Sequence, residues 1–384
     1  MGFQLTIPAN LYGGSGSLHE LSNILKKESA RKVIVYTDKG IRNAGLVDEL
    51  CKVLEETGVE FNVYDDIKPE PSYIEVEKIQ EETKNAQADL IIGFGGGSVM
   101  DAAKLCSVLI GATYSVKDLL DTPQIAAKKI KTIMIPTTCG TGSEATCNAI
   151  VAVPEEKVKK GIVNNEMIPD YVILDPQLIR NLPKQIIAAT GVDALAHAVE
   201  CYTSNKATPF SNVYALEGAK LIFENIRQAY NEPENMKAKE AMLIGAFYGG
   251  VAITGSGTTA VHALSYPLGG KYHIPHGVSN AILFETVMNF NKDACADQLA
   301  DICDAINPSY SDKSVNEKAQ YVIDEIADIV KVTNIPVNLN EFGIQKDDLE
   351  FLVQAGSEQK RLLVNNKKEL SKEDIRQIYS KVIG

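Results

Sequence analysis

The chain has 384 residues, of which 45% are hydrophobic and 23% charged, with 28 glycines, seven cysteines, five histidines and no tryptophan. Lys plus Arg number 38 against 50 Asp plus Glu, a formal net charge of -12, which argues against a nucleic-acid partner or an anionic membrane surface, since both select basic faces. The length suggests two domains, the apolar content excludes a disordered chain, and no apolar run is long enough for a membrane span.

Taken in chain order, strand-like runs fall at residues 32–37, 59–64, 90–94, 132–136, 149–153 and 171–174, and helical patterns at 18–28, 47–57, 73–86 and 98–110 lie between several of them. Alternation of strand and helix predicts a largely parallel sheet covered on both faces. The continuously apolar runs 33–36 and 90–92 fit strands buried on both sides. The texture changes near residues 181–184. Beyond them apolar residues recur at three and four positions through 185–202, 211–229, 238–252, 316–329 and 346–352. Ser371, followed by Glu373 and Asp374, predicts an N-cap and acidic first turn for a last helix, and Asp347 takes a similar part for its own. The expected fold class is an α/β N-terminal domain over residues 1–180 and an all-α C-terminal domain over residues 181–384.

Two loops of the first domain carry chemistry. Gly95-Gly96-Gly97-Ser98 follows an apolar strand directly and opens a helix containing Asp101 and Lys104. A glycine turn at a helix N-terminus presents backbone N–H groups to an anion and lets a pyrophosphate approach. Its order is neither GxGxxG nor a P-loop, so ATP hydrolysis is disfavoured. The segment Thr137-Thr138-Cys139-Gly140-Thr141-Gly142-Ser143-Glu144 follows a second strand with four hydroxyls and two glycines. Loops after strands of one sheet point to the same carboxyl edge, where doubly wound sheets bind nucleotides. Gly13-Gly14-Ser15-Gly16 is expected as a turn beside that site. Asp38, at the end of another strand, is placed either on a ribose hydroxyl, which favours NAD(H) over NADP(H), or as a helix cap.

Cysteines 51, 106, 139, 147, 201, 295 and 303 form no CxxC pair, which fits a reducing, cytoplasmic setting and buried thiols in place of a cysteine metal site. The opening residues show no signal-peptide pattern. Histidine is scarcer and more telling. Asp193 and His197 stand four apart in a helical stretch, so carboxylate and imidazole share one face. His262 lies at the end of a helical stretch at 260–264, and His276 follows Pro275. One carboxylate and three imidazoles suit Fe(II) or Zn(II) and disfavour Mg or Ca, although each histidine taken singly also reads as a hydrogen-bonded structural residue. Beside a nicotinamide, such a metal acts as a Lewis acid on a carbonyl or alkoxide oxygen during hydride transfer, which is expected in a cleft between the domains.

In combination these motifs closely resemble the iron-containing (group III) alcohol dehydrogenases, whose fold is shared with glycerol dehydrogenase and dehydroquinate synthase. The matching segments are Gly95-Gly96-Gly97-Ser98 with Asp101 and Lys104, Ile135-Pro136-Thr137-Thr138 through Gly142-Ser143-Glu144, Ala189-Thr190-Gly191-Val192-Asp193-Ala194 with His197, Glu200 and Ser204, Pro275-His276-Gly277 with Asn280-Ala281, and Asn365-Asn366. The resemblance implies metal ligands at Asp193, His197, His262 and His276, with Fe(II) as the metal and Zn(II) the alternative. It implies dinucleotide contacts at Asp38, Gly95, Gly96, Gly97, Ser98, Asp101, Thr137, Thr138, Thr141, Ser143 and Lys160, with Lys159 a competitor for the last. It also implies at least a dimer. The activity implied is NAD(H)-linked interconversion of a small primary alcohol and its aldehyde. Glycerol dehydrogenase-like polyol or hydroxy-acid oxidation and non-redox dehydroquinate synthase-like chemistry are the alternatives.

The sequence departs from the family in places. Tyr266 stands where many relatives have a histidine; a phenol there is read as orienting substrate without titrating near neutrality, and His273 is read either as compensating in proton transfer or as a surface residue. Ile253 and Gly255 replace a Phe and an Asn. The low-bulk stretch from Gly249 to Gly257 is read either as room beside the nicotinamide or as close helix packing.

Overall fold

The computed structural model describes residues 2–384. The chain divides into two compact units, Thr6–Asn181 and Leu182–Gly384, the second including the first residues up to Leu5.

The first unit holds strands β1 (Asn10–Gly13), β2 (Lys32–Tyr36), β3 (Glu60–Tyr64), β4 (Leu90–Gly95), β5 (Lys131–Pro136), β6 (Asn148–Val153), β7 (Val158–Val163) and β8 (Tyr171–Leu174). Its helices are α1 (Glu20–Glu28), α2 (Lys39–Asn43), α3 (Leu46–Thr57), α4 (Tyr73–Thr83), α5 (Gly97–Leu109) and α6 (Val116–Asp121). Six strands form a parallel sheet in the order β1-β8-β5-β4-β2-β3. The period of two sorts the apolar side chains between two cores. Val33, Val35, Ile92 and Ile133 pack with Leu21 and Ile24 of α1 and Leu50 and Leu54 of α3. Ile34, Tyr36, Ile91 and Met134 pack on the other face with Val76 and Ile79 of α4 and Ala103 and Leu105 of α5. Each such side chain contributes about 1.5–3 kcal/mol by burial, so a one-residue slip in register would exchange both cores at once.

The six predicted strands are present. Two others, β1 and β7, have no clear signal in the sequence. β1 is a four-residue edge strand, Asn-Leu-Tyr-Gly, that runs into the glycine turn expected at Gly13-Gly14-Ser15-Gly16. β7 forms an antiparallel hairpin with β6, and Lys159, Lys160 and Gly161 dilute its apolar alternation. Lys159 is nonetheless buried there, its charge paired with Glu70.

The second unit is helical: α7 (Lys184–Thr203), α8 (Pro209–Asn231), α9 (Met236–Ser256), α10 (Ala260–Tyr272), α11 (His276–Asn291), α12 (Ala296–Ile306), α13 (Val315–Val332), α14 (Leu349–Ser357), α15 (Lys360–Leu363) and α16 (Lys372–Val382). Reciprocal capping boxes start α8 (Thr208 with Ser211), α13 (Ser314 with Glu317) and α16 (Ser371 with Asp374). Such N-caps contribute about 1 kcal/mol each. The expectation for Asp347 is corrected: its neighbour Asp348 accepts the N–H of Gln345 and immediately precedes α14. The reading of His262 at a helix end is also corrected. It stands in the first turn of α10, which continues to Tyr272 with Pro267 inside it. Helices α10 and α11 are apolar nearly all round, so no amphipathic period marks them.

Among the described residues no single helix is long and apolar enough to cross a membrane, and α9 and α10 meet at a bend of 105°. Gly257 makes that corner at φ 72°, with Asn365 so near that a side chain there would collide. None of the seven cysteines forms a disulfide; Cys51 is half-buried and the other six are buried.

Candidate functional site

Helical spacing puts Asp193, His197 and Glu200 of α7 on one face, and α10 and α11 bring His262 and His276 against it. Four donor atoms, one each from Asp193, His197, His262 and His276, all lie within 4.8 Å of one another. Asp193 Oδ1 is 3.8 Å from His197 Nε2, 3.5 Å from His262 Nε2 and 3.7 Å from His276 Nε2. The rings of His197 and His262 stack at 4.6 Å, and that of His276 meets His262 edge-on at 5.2 Å. Asp193, His197 and His262 are buried, whereas the His276 side chain keeps 28% of its surface. His276 is therefore the one partly exposed side chain of the four. Three imidazole nitrogens, once deprotonated, and one carboxylate oxygen are a donor set for a divalent transition ion.

The charges around the cluster favour a cation. Burial alone would raise the carboxyl of Asp193, but His197, His276 and His262 outweigh it and hold that group well below the ordinary carboxylate range. Burial would lower the imidazole of His262. Glu200 and Asp193 reverse the direction and bring it up to about 9.

Two side chains that sequence reasoning gave no separate role complete the arrangement. The buried Glu200 accepts from Thr259 Oγ1 at 2.6 Å and Val261 N at 2.7 Å, and its other oxygen takes Nδ1–H of His262. Asn280, buried on α11, donates from Nδ2 to Asp193 Oδ1 at 2.6 Å and lies 3.1 and 3.3 Å from Nε2 of His262 and His276. Glu200 sits seven residues after Asp193, on the same helical face, which is the one signal that could have marked it. Asn280 follows His276 by four residues on one face of α11, which is its comparable signal, but its bond to Asp193 forms only where α11 meets α7.

Glycines permit that crossing. A Cβ on Gly277 would lie 2.1 Å from the carbonyl oxygen of Ala189, backbone against backbone. On α9, a Cβ on Gly249 would lie 3.3 Å from His197 Cβ, and one on Gly255 would meet Leu5 and Ser211 at 3.0 Å. Of the two readings of the low-bulk stretch, these contacts support close packing.

The two glycine-rich loops of the sheet unit also meet. Gly96 precedes α5 as its N-cap, and a Cβ on Gly97 would strike Thr141 at 2.8 Å. Asp101 accepts from Ser143 Oγ at 2.5 Å and Ile150 N at 2.9 Å, and Lys104 Nζ lies 3.0 Å from the same carboxylate. Lys104 is fully buried and also donates to Ser143 O at 3.0 Å and Thr146 Oγ1 at 3.1 Å. Asp101 and Ser143 are thus engaged with each other. Thr141 Oγ1 accepts the N–H of Ser143, and Ser98 Oγ accepts that of Glu70. Thr137 Oγ1 and Thr138 Oγ1, by contrast, are buried with no hydrogen-bond partner in the protein. An orphaned buried hydroxyl is costly, and two of them at the head of β5 fit a polar ligand that accepts from them.

The remaining predicted residues are less concentrated. Asp38 caps α2, accepting from Ile41 N at 3.0 Å. Lys160 pairs with Glu156 across the hairpin turn. The glycine cluster at Gly13 follows β1, with Gly16 and Leu18 donating their N–H groups to Asp175. The buried Tyr266 packs on Leu362, its ring 5.9 Å from that of His276. His273 is exposed at the end of α10 in the left-handed region, φ 56°.

Comparison with known proteins gives a consistent result. The family model for iron-containing alcohol dehydrogenase matches residues 8–176, and that for the C-terminal part of the Fe-containing alcohol dehydrogenase family matches residues 187–383. The chain is 37% identical over 379 residues to long-chain-alcohol dehydrogenase 1 of Geobacillus thermodenitrificans, covering 98% of this chain and 95% of that protein. It is 32% identical over 364 residues to a sulfoacetaldehyde reductase of Bilophila wadsworthia, covering 94% of each. Among solved structures, a 1,3-propanediol oxidoreductase superposes with a TM-score of 0.94 at 28% identity over 100% of both chains. The sulfoacetaldehyde reductase of Bifidobacterium kashiwanohense in complex with NAD+ gives 0.88 at 27% identity over 100% of this chain and 99% of that one.

Proposed function

The chain belongs to the iron-containing alcohol dehydrogenase family, and from that premise we propose that it interconverts a small primary alcohol and its aldehyde with NAD(H), using one divalent metal ion. The carrying observation is the convergence of Asp193, His197, His262 and His276 within 4.8 Å. These four side chains would hold the ion, Fe(II) in preference to Zn(II). When bound, the ion supplies a Lewis acid for the substrate oxygen, and the nicotinamide supplies or accepts the hydride.

The chain's own residues do the rest. Asp193 contributes the one negative charge among the donors, and the partly exposed His276 marks the side from which a small oxygen-bearing substrate approaches. Tyr266 beside it limits the bulk the substrate can carry. His273, three residues before His276, exchanges the reaction's proton with solvent. The turn from Gly95 through Ser98, held by Asp101 and Ser143, receives the pyrophosphate, with Thr137, Thr138 and Thr141 donating hydroxyls and Lys160 adding charge. Asp38 binds the ribose and disfavours a 2′-phosphate. That two relatives are named for sulfoacetaldehyde and others for 1,3-propanediol supports a short substrate with a polar end.

The test is anaerobic reconstitution of the full chain with Fe(II) or Zn(II), followed by a panel of short aldehydes with NADH and NADPH. NADH consumption with at least one aldehyde is expected. No turnover under any condition overturns the reading.

A further inference from the structure

We infer that Glu200 is a positioning residue for the metal: it fixes which nitrogen of His262 faces the other three donors. This rests on the reading that Asp193, His197, His262 and His276 hold one divalent ion. Glu200 is 0% exposed, and each of its two oxygens is committed. Oε1 accepts from Thr259 Oγ1 and from Val261 N in the first turn of α10, while Oε2 meets His262 Nδ1.

The consequence follows from proton bookkeeping. A carboxylate can only accept, so Nδ1 must carry the proton. In the neutral ring, the form that can bind a metal, the lone pair is then on Nε2, the atom 3.5 Å from Asp193 Oδ1 and 3.1 Å from the donating amide of Asn280. The reverse tautomer would set an N–H against Asn280 and could not bind a metal. Glu200 also ties the ring to its own helix, because Asp193, His197 and Glu200 share one face of α7 while His262 comes from α10. One side chain thereby sets the tautomer and also ties together α7 and α10, two of the three helices that supply ligands.

Glu200→Gln separates these roles from simple packing. The carboxamide keeps the shape. Val261 N–H and Thr259 Oγ1 are donors and hold the amide oxygen on their side, so the NH2 group faces Nδ1. It would donate there and move the imidazole proton to Nε2. Partners of this kind that orient a ligand typically change metal affinity 10–100-fold.

The experiment titrates metal-free full-length protein with Zn(II) against a chromophoric chelator, and repeats the titration with Co(II) to record its visible absorption. Glu200→Gln is expected to weaken Zn(II) binding by about 10–100-fold and to alter the Co(II) spectrum. Glu200→Asp, which keeps the charge but withdraws it by one methylene, should bind more tightly than the Gln variant. Thr259→Val removes a donor to the same carboxylate without touching the imidazole and should leave the Co(II) spectrum unchanged. An unchanged dissociation constant and spectrum for Glu200→Gln overturns the proposal, as does an equal loss in Thr259→Val. If Glu200→Gln does not fold, Glu200→Asp decides: wild-type affinity and spectrum overturn the proposal, and a weaker site with an altered spectrum supports it. Failure of the wild-type chain to bind Zn(II) or Co(II) overturns the four-ligand reading itself, a separate result from a Gln variant that binds as the wild type does.

Discussion

Asp101 and Ser143, 42 residues apart in sequence, are joined by a 2.5 Å hydrogen bond that ties the first turns of α5 to the loop after β5. The same carboxylate neutralises Lys104, which is 0% exposed. Asp101→Ala would leave that ammonium buried without its counter-charge, a loss of about 3–5 kcal/mol. The expected outcome is a marked fall in the urea midpoint of the protein alone, before any cofactor is added. A midpoint equal to wild type would show that Lys104 needs no counter-charge from Asp101.

Thr137 should respond in the opposite sense. Its buried Oγ1 has no partner, so Thr137→Val removes a desolvation penalty and leaves the protein alone at least as stable. If the hydroxyl serves the cofactor, NADH binding weakens by about 0.5–1.5 kcal/mol, which is about two- to tenfold in Kd. Titration of NADH fluorescence checks the second half and a thermal melt the first. Unchanged NADH affinity removes Thr137 from the cofactor contacts.

His276 is the most exposed of the four clustered donors, its side chain keeping 28% of its surface. His276→Ala should therefore fold normally while losing stoichiometric metal. Metal content per chain, measured by atomic emission after Zn(II) loading and desalting, is the readout. One ion per chain in the variant would reject His276 as a ligand.

Gly277 allows no side chain because Ala189 O occupies the place of its Cβ. Gly277→Ala forces α11 away from α7, and overpacking of this kind costs about 1–3 kcal/mol. His276 is the preceding residue, so Zn(II) affinity should fall together with stability. Full retention of both would show that the helices separate without moving the ligand.

Glu144 gives a pH signature. Burial is the main cause that lifts its carboxyl from 4.5 to about 7, against the pull of Lys104. Between those values the folded chain holds a proton that the unfolded chain has released. Stability therefore falls as pH rises through that window, by at most about 1.4 kcal/mol per pH unit. Glu144→Gln removes the ionisation, so its urea midpoint should gain on wild type from about pH 5 to about pH 7.5. A constant difference across that range would exclude the titration.

Much of this was legible in the sequence wherever one element carried its own pattern. The continuous apolar run of β4 and the glycine turn after it needed no partner to be read, and neither did Asp193 and His197 four apart on α7. Lys159 shows the limit: beside Lys160 it reads as a competing cofactor-side lysine, whereas in β7 it is buried and paired with Glu70. His262 and His276 could be grouped with Asp193 only by chemistry, because the apolar residues of α10 and α11 follow no single-face period that would bring the two helices to α7. Glu200 and Asn280 stand in the matching segments, but nothing in the sequence says what each would touch. Their parts are defined by atoms that arrive from other helices.

The absence of any disulfide among the seven cysteines carries an experimental consequence. Cys51, Cys106, Cys139 and Cys147 belong to the sheet unit, and Cys201, Cys295 and Cys303 to the helical one. All but Cys51 are shut away from solvent. A thiol reagent applied to the native chain should modify Cys51 first, and each later addition would time an opening of the surrounding structure. Counting adducts by peptide then gives each unit its own clock, with no label introduced.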